Sequence, residues 1–584
     1  MALFDGPAPT LSTALNNCAV TTLRNQASSL GVRLPARKAE IIALICANLQ
    51  GNRLKQIWAQ LTQVQQYALS EAVHGRNTGY LDWTLIAAKY RTSRQEIEHG
   101  LFSLFSQDAK YIPLDLLEEM RSFVPPPQAD RPSTLNALPC DLPKDLRVFS
   151  GEQTALMELE AVLRLAEADR LRVSPKTMHT TAATARLVAE TLIGGDFYPP
   201  EWTPHRYVKN IGPIRAFAWS ILLQTGGLAH CAEGKLQLSA RGRKALAATP
   251  STVLADVYKT WVDNKDFDEF ERIESISGKR SHGGRHITAV AGRRAMVAAA
   301  VEKLPTGEWV SIDEMVRFMR GAGFDFEVTR DPWRLYIGDA QYGSLGYGGV
   351  QVWNIVNKRY LMCVLFEYMA TMGLIDMAYR YPDQVEQDFT DMWGTDCLHY
   401  LSRYDGLCYL RLNALGAYCL GRTKCYTPTS PAPVSKLIYE GDEVLKEIDN
   451  GLLPADRLFL ERCAVPLPDG RWRVRREMIA STLESSGTTN DIRTFFKGIL
   501  GTIPDDLDFL LSEVEGGVGR IAVVGMGIIL KVHSDSLAQT LSADRSLTKM
   551  TMLAEGIYLV ILPGKETAVR RRLKELGFVL PRIV

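Results

Sequence analysis

The residues best suited to chemistry lie between positions 263 and 286. Asp263, Asp266, Asp268, Glu269 and Glu271 crowd carboxylates into a short stretch, and paired carboxylates can hold Mg²⁺ for nuclease chemistry. That chemistry also calls for a strand-borne Asp followed by a Glu-x-Lys arrangement. None accompanies these residues, so they read as an exposed acidic helix. His282 and His286 share an i,i+4 offset but sit in a Gly-rich run with no third ligand. Gly234-Lys235, Gly278-Lys279 and Gly564-Lys565 lack the upstream glycine and the following hydroxyl of a phosphate-binding loop. Gly525-x-Gly527 is too short for a dinucleotide fingerprint, and no serine nucleophile elbow occurs. Arg403 with Asp405 has catalytic residue types, and the plainer reading is a structural pair or a turn tip. The expectation is a non-catalytic chain with no cofactor and no metal.

With catalysis set aside, the remaining chemistry is charge. Lys and Arg number 67 against 66 Asp and Glu, a formal net charge of +1, so any nucleic-acid role rests on local faces. Arg37 and Lys38 form one candidate pair. A second basic group, Lys176, Arg241, Arg243 and Lys244, falls within residues 151–250, together with Arg186, Arg215 and Lys235. Lys279, Arg280 and Arg285 belong to the Gly-rich run 278–286. Any one of these is more simply solvated surface, and together they are the candidate phosphate contacts. The Gly-rich stretch 326–359 carries Phe326, Trp333, Tyr336, Tyr342, Tyr347 and Trp353. Such rings either stack on exposed bases or pin the loop to its own domain, and the second reading is preferred.

A chain of 584 residues with 46% apolar and 23% charged content is ordinary globular material and too long for one core, so three to five domains are expected. The longest apolar run, 518–532, is broken by glycines and too short to span a bilayer. Met1-Ala2-Leu3-Phe4-Asp5-Gly6-Pro7 lacks a basic region followed by an apolar core. Ten cysteines occur without CxxC pairs, several within apolar segments (Cys46, Cys363, Cys419), as buried thiols of a reducing compartment would. The expectation is a cytoplasmic chain without a membrane partner.

The elements divide as follows. Residues 1–50 hold a helical hairpin turned by Gly31-Val32-Arg33-Leu34-Pro35, and 51–124 a helical domain. The prolines from Val124-Pro125-Pro126-Pro127 onward mark 125–150 as a linker. Residues 151–250 and 301–425 share one grammar. Each has an apolar helix stopped by glycine (Gly226-Gly227-Leu228; Gly373-Leu374), a β-ribbon, and a restarted helix (Ser239-Ala240-Arg241-Gly242; Asn413-Ala414-Leu415-Gly416). That order points to two winged-helix domains in tandem, the second carrying an insertion. Residues 251–300 connect them, Thr427 to Pro433 reads as a hinge (426–434), and 435–584 is a terminal α+β domain. There Leu458-Phe459-Leu460 reads as a strand, Pro468-Asp469-Gly470 as a hairpin turn, and Thr488-Thr489-Asn490-Asp491 as a cap.

Two stretches resemble known families. Arg37, Lys38, Ala39, Glu40, Ile41 and Ile42 match the end of the SAP motif, with Ala36 where that family usually has glycine. The resemblance implies a DNA-binding helix–turn–helix whose basic groups meet backbone phosphates. Gly519-Arg520-Ile521, Leu541 to Leu547, and Leu573-Lys574-Glu575-Leu576-Gly577-Phe578 resemble the helicase-associated domain of uncharacterised bacterial proteins related to the N-terminal domain of XPB-type helicases. The central stretch (Trp309, Tyr360-Leu361, Gly373-Leu374, Leu415-Gly416) resembles the winged-helix part of the same group. The expected fold is therefore multidomain α+β and mostly helical: a SAP-like helical hairpin, tandem winged-helix domains, and a small C-terminal α/β helicase-associated domain. The resemblances imply a DNA-binding accessory protein acting with a separately encoded helicase or nuclease in repair or genome defence. The alternative is a protein–protein scaffold whose winged helices never touch DNA. No oligomeric state is legible.

Overall fold

The computed structural model describes residues 9–579 except 108–109, 200–201, 203–211, 280–285, 386, 390–391, 430–433, 450, 485–487 and 518–526. It is a mixed α+β chain, mostly helical, with several small sheets. Two compact units divide it: Met1–Lys436 with Asn450–Glu461, and Leu437–Asp449 with Arg462–Val584. Among the described residues no helix is long and apolar enough to cross a membrane.

The first unit begins with a helical layer. Helices Leu11–Asn16, Val20–Ser28, Lys38–Asn48, Gly51–Gln60, Gln63–His74 and Trp83–Tyr90 share one continuous apolar core with Leu116, Leu117 and Val124. The hairpin of residues 1–50 is thus not packed separately from the helices after it. Local chemistry sets the boundaries. Thr62 and Gln65 close a reciprocal capping box, Asp82 accepts from the Leu85 N–H, and Ser93 with Glu96 closes a second box.

The Pro-rich segment that follows is laid down as a strap. Leu135 exchanges two 2.8 Å backbone bonds with Trp309, Asp130 holds Arg317 at 2.8 and 3.2 Å, and Arg147–Phe149 pairs antiparallel with Ile375–Tyr379. Prolines remove backbone donors, so side-chain ion pairs and isolated bridges do the docking until a true strand begins.

The repeated grammar is visible at atomic detail. In the first copy, helix Arg215–Thr225 leads to strands Ala229–Ala232 and Lys235–Leu238 and helix Ala240–Ala245. In the second, helix 353–369, built of Trp353–Asn357, Lys358–Cys363 and Val364–Met369, leads to strands Ile375–Tyr379 and Leu407–Leu412 and helix Ala414–Cys419. Leu228 N–H bonds Leu223 O at 2.9 Å and Leu374 N–H bonds Met369 O at 2.9 Å. Each is the long Schellman bond across a left-handed glycine, Gly227 or Gly373. Ser239 and Asn413 cap the closing helices by accepting from Gly242 and Gly416 N–H. A third pairing also recurs: 171–173 makes an isolated bridge to 234–236, and strand Trp309–Ser311 pairs with Leu407–Leu412. The larger sheet runs Arg147–Phe149, Ile375–Tyr379, Leu407–Leu412, Trp309–Ser311. One core spans both copies.

Of the carboxylates expected on an exposed acidic helix, Asp263, Asp266 and Glu271 are exposed, but Glu269 is buried in a short 3₁₀ turn, Glu269–Arg272. Its carboxylate is bonded by Arg294 at 2.6 Å, a partner no local periodicity announces. Leu458-Phe459-Leu460 also departs from the predicted strand. It ends helix Pro454–Leu460, whose N1 proline is preset for a helix start, and this helix packs on Gly151–Glu167.

The second unit carries two sheets. One orders Leu437–Gly441, Val444–Glu447, Arg471–Val474 and Ala464–Leu467, and the other Ile528–Lys531, Tyr558–Ile561 and Thr551–Ala554. Helix Thr489–Leu500 opens on a Thr488–Asp491 capping box. Helices Asp535–Ala543 and Glu566–Glu575 cover the smaller sheet through Leu541, Val569 and Leu573. The predicted strand start Gly519 to Val524 lies outside the described residues.

The closing-helix glycines are the tightest points of the repeat. A Cβ on Gly242 would stand 2.0 Å from Leu228 O, and one on Gly416 2.0 Å from Leu374 O. Gly242→Ala and Gly416→Ala should each destabilise the first unit by about 1–3 kcal/mol. Gly292→Ala, which meets nothing within 4 Å inside helix Val290–Glu302, should raise stability by about 0.5–1 kcal/mol. Thermal unfolding of the three variants checks both signs.

Candidate nucleic-acid interface

In a helix–turn–helix reader, one helix enters the major groove with its side chains free to meet base edges. The helix before each ribbon holds the corresponding place in this chain, and both are buried. Arg215 to Leu223 is buried throughout, and residues 359–379 are buried without a break. The two helices pack on one another. Phe366 meets Phe197 edge-on at 4.9 Å, and Trp261 stacks on Tyr368 at 5.4 Å. Neither helix presents a face to a groove.

What holds them is a set of buried ion pairs. Glu367 accepts two 3.0 Å bonds from Arg272 Nε and a third from the Tyr404 hydroxyl. The Arg272 guanidinium lies 3.8 Å over the Phe217 ring of the first inner helix. Glu269 takes Arg294 and the Tyr360 hydroxyl, Glu274 takes Arg403 at 3.1 Å, and Glu158 takes Arg215 and Trp219 Nε1. Burial pushes the carboxyls of Glu269, Glu274 and Glu367 upward, and the arginine beside each pulls the other way. Arg403 and Asp405 do not pair with one another: Asp405 serves Arg359 and the Leu401 and Ser402 N–H groups.

The same packing bears on chemistry. Among the described residues no group of three or more His, Cys, Asp or Glu is placed to hold a metal ion. Cys363 is fully buried, and burial lifts its thiol well above the ordinary range, far from the thiolate a nucleophile needs. Cys363 and Cys419 are buried and Cys46 is half-buried.

The sequence-chosen cations fall in several places. Arg37 is the N-cap of helix Lys38–Asn48, and its side chain is 84% exposed with Glu40 3.9 Å away. Lys38 is half-buried and donates to Asn16 O at 2.7 Å. Lys176 is exposed on the turn beside the first ribbon, where Pro175 and Val173 approach Gly234. Arg241, Arg243 and Lys244 lie on the helix after that ribbon and are exposed. Arg241 meets Asp256 at 3.4 Å, and Arg243 donates to Leu238 O at 2.8 Å. The ribbon strands are four residues long, so Lys176 and the Arg241 group lie about 13 Å apart along it. Lys279 is turned inward: its ammonium donates to Ile273 O and lies 5.2 Å from the Phe270 ring centre. Burial pushes its pKa down to about 8, and its inward-facing ammonium, engaged by Ile273 O, is turned away from an outer phosphate. Arg280 and Arg285 lie outside the described residues. Of the other basic residues, Arg215 is buried and Lys235 meets Asp169 at 3.2 Å.

The aromatic insertion divides in two. Phe326 is buried, and Trp353 bonds Asp325, so these pin the loop. Trp333, Tyr342, Tyr347 and Trp393 are exposed, Tyr347 by 71%. They form two contacting pairs, Trp333 with Tyr347 at 4.8 Å and Tyr342 with Trp393 at 5.4 Å. Asp331, Asp339 and Asp396 lie nearby in sequence together with Arg330 and Arg334, and Asp331 pairs with Arg334 at 3.2 Å.

Removing one partner of a buried ion pair strands the other. Glu367→Gln should therefore destabilise the first unit by about 3–5 kcal/mol, and the double change Arg272→Met with Glu367→Leu should recover most of it. Denaturant unfolding followed by fluorescence of the buried Trp219 and Trp261 measures both.

Compared with known proteins, the chain matches no protein-family model and no curated protein sequence.

Proposed function

We propose that this chain is a non-catalytic DNA-binding accessory protein that holds the phosphate backbone through its outer cations and reads little or no base sequence. The observation that carries the reading is the exposed Arg37 beside the half-buried Lys38 at the start of helix Lys38–Asn48. There the unpaired N–H groups of the first helical turn add to the side-chain charge. Helix Val20–Ser28, the turn containing Gly31 to Pro35, and helix Lys38–Asn48 suit the SAP reading. The winged-helix reading draws on the ordered helix, strand, helix, helix and ribbon of each copy and on the central sheet order. Because both inner helices are buried, a winged module here would touch DNA with its ribbon turn and closing helix, where Lys176, Arg241 and Lys244 stand. A motor or nuclease partner, in repair or genome defence, rests on the resemblance of the terminal domain.

The second reading, a protein–protein scaffold, draws on one observation: the four exposed rings Trp333, Tyr342, Tyr347 and Trp393.

Titration against labelled duplex DNA at two salt concentrations separates the readings. Binding should weaken steeply with salt and differ little between unrelated sequences. Arg37→Glu with Lys38→Glu should weaken it and lower the slope of log K against log salt by about 2, about one for each lost contact. Unchanged binding in that variant rejects Arg37 and Lys38 as the carrying contact, and no binding at low salt rejects the DNA reading and favours the scaffold.

A further inference from the structure

A cleft of about 880 Å³ opens in the first unit between helices Gln63–His74 and Trp83–Tyr90 and helix Ile312–Gly321, with the Pro-rich strap along it. Its size falls within the range of small-ligand sites, about 300–1,000 Å³. Leu85, Phe318, Phe324, Pro127, Pro132 and Pro305 supply apolar surface.

The charges in the cleft do not balance. Its two carboxylates are already committed. Glu71 accepts from Lys89 at 2.5 Å and from Tyr90 at 2.7 Å, and Asp130 is held by both arms of Arg317. Four further cations line the same space: Arg76, Arg131, Lys303 and Arg422. Arg76 and Arg422 each give one guanidinium bond to a backbone carbonyl, Gly323 O and Leu304 O. That bond fixes the head group and leaves further N–H donors on it. The Arg131 side chain has no partner among the described residues, and Lys303 has only the exposed Glu302 at 3.4 Å. Fixed guanidinium donors around a space with no free carboxylate suit a phosphate, which arginine recognises by paired N–H bonds. The proline and phenylalanine surface suits the flat face of a base.

We propose that this cleft binds a nucleoside phosphate, either a free mononucleotide or the phosphorylated terminal nucleotide of a strand. The site is separate from the outer cations and does not rest on DNA contact there.

The full-length chain is titrated calorimetrically with dAMP, ATP, a 5′-phosphorylated thymidine trinucleotide, its unphosphorylated counterpart, and inorganic phosphate. A phosphorylated nucleoside probe should bind at least tenfold tighter than both the unphosphorylated trinucleotide and inorganic phosphate. Preference for dAMP or ATP assigns the free-nucleotide source, and preference for the phosphorylated trinucleotide the strand end. Arg131→Glu with Lys303→Glu, at exposed positions that anchor no backbone, should weaken that probe at least tenfold. Arg37→Glu with Lys38→Glu should leave it unchanged, so failure of the cleft and failure of backbone binding are read apart. The proposal is overturned if no probe binds at millimolar concentration, if inorganic phosphate binds as well as the nucleotides, or if the Arg131 and Lys303 changes have no effect.

Discussion

Glu367 has no solvent exposure, and an unpaired carboxylate in that position would cost several kcal/mol. Arg272 meets it with two bonds, Tyr404 adds a third, and Phe217 receives the other side of the guanidinium. These residues come from the second inner helix, the connecting segment, the turn before the last ribbon strand, and the first inner helix. One buried charge therefore obliges four distant parts of the chain to be in register. The neighbouring pairs Glu269–Arg294 and Glu274–Arg403 repeat the requirement with the same connecting segment. The segment between the two copies is thereby a clasp rather than a spacer.

Much of the remaining architecture follows from that clasp. Two copies of a helix–ribbon–helix unit meet through their inner helices, so the surface a reading helix would use becomes core. The first copy's closing helix keeps Arg241, Arg243 and Lys244 exposed, whereas the second copy's, Ala414–Cys419, presents no exposed residue. The strap across residues 125–150 then extends the central sheet by one strand and lines the cationic cleft. A molecule arranged this way contributes charge and shape to a partner more readily than a base-by-base reading surface.

Local features were well legible in the sequence. Ser239, Asn413 and Thr488 each announce a helix start and each caps one. Asp469-Gly470 forms its turn with both residues at positive φ, as the tight hairpin type requires. The glycine stops of the two copies align down to the same backbone bonds. The misses share a cause. Glu269 finds Arg294 25 residues away and Arg272 finds Glu367 95 residues away, and a carboxylate's fate depends on such partners rather than on its own segment. Leu458-Phe459-Leu460 has an ambiguous apolar run, and Pro454 at the first helical position was the usable signal. The hairpin of Leu437–Gly441 and Val444–Glu447 carries a weaker sequence signal, because the two residues of its turn, Asp442 and Glu443, take positive φ without being glycine. Of the candidate contacts, exposure at Arg37 was readable from its place before a helix. The inward turn of Lys279 was not, since it depends on Phe270 and Ile273 packing beneath it.

The central claim is that DNA meets the outer cations and never the inner helices. Photo-crosslinking of the protein to duplex DNA carrying reactive groups on backbone and bases, with peptide mapping by mass spectrometry, tests it directly. The account predicts crosslinks within residues 36–40, 174–177 and 239–245 and none within 215–225 or 359–379. Crosslinks from base-borne groups to residues 359–379 would contradict it, because they require the Arg272–Glu367 clasp to open and expose the helix it holds.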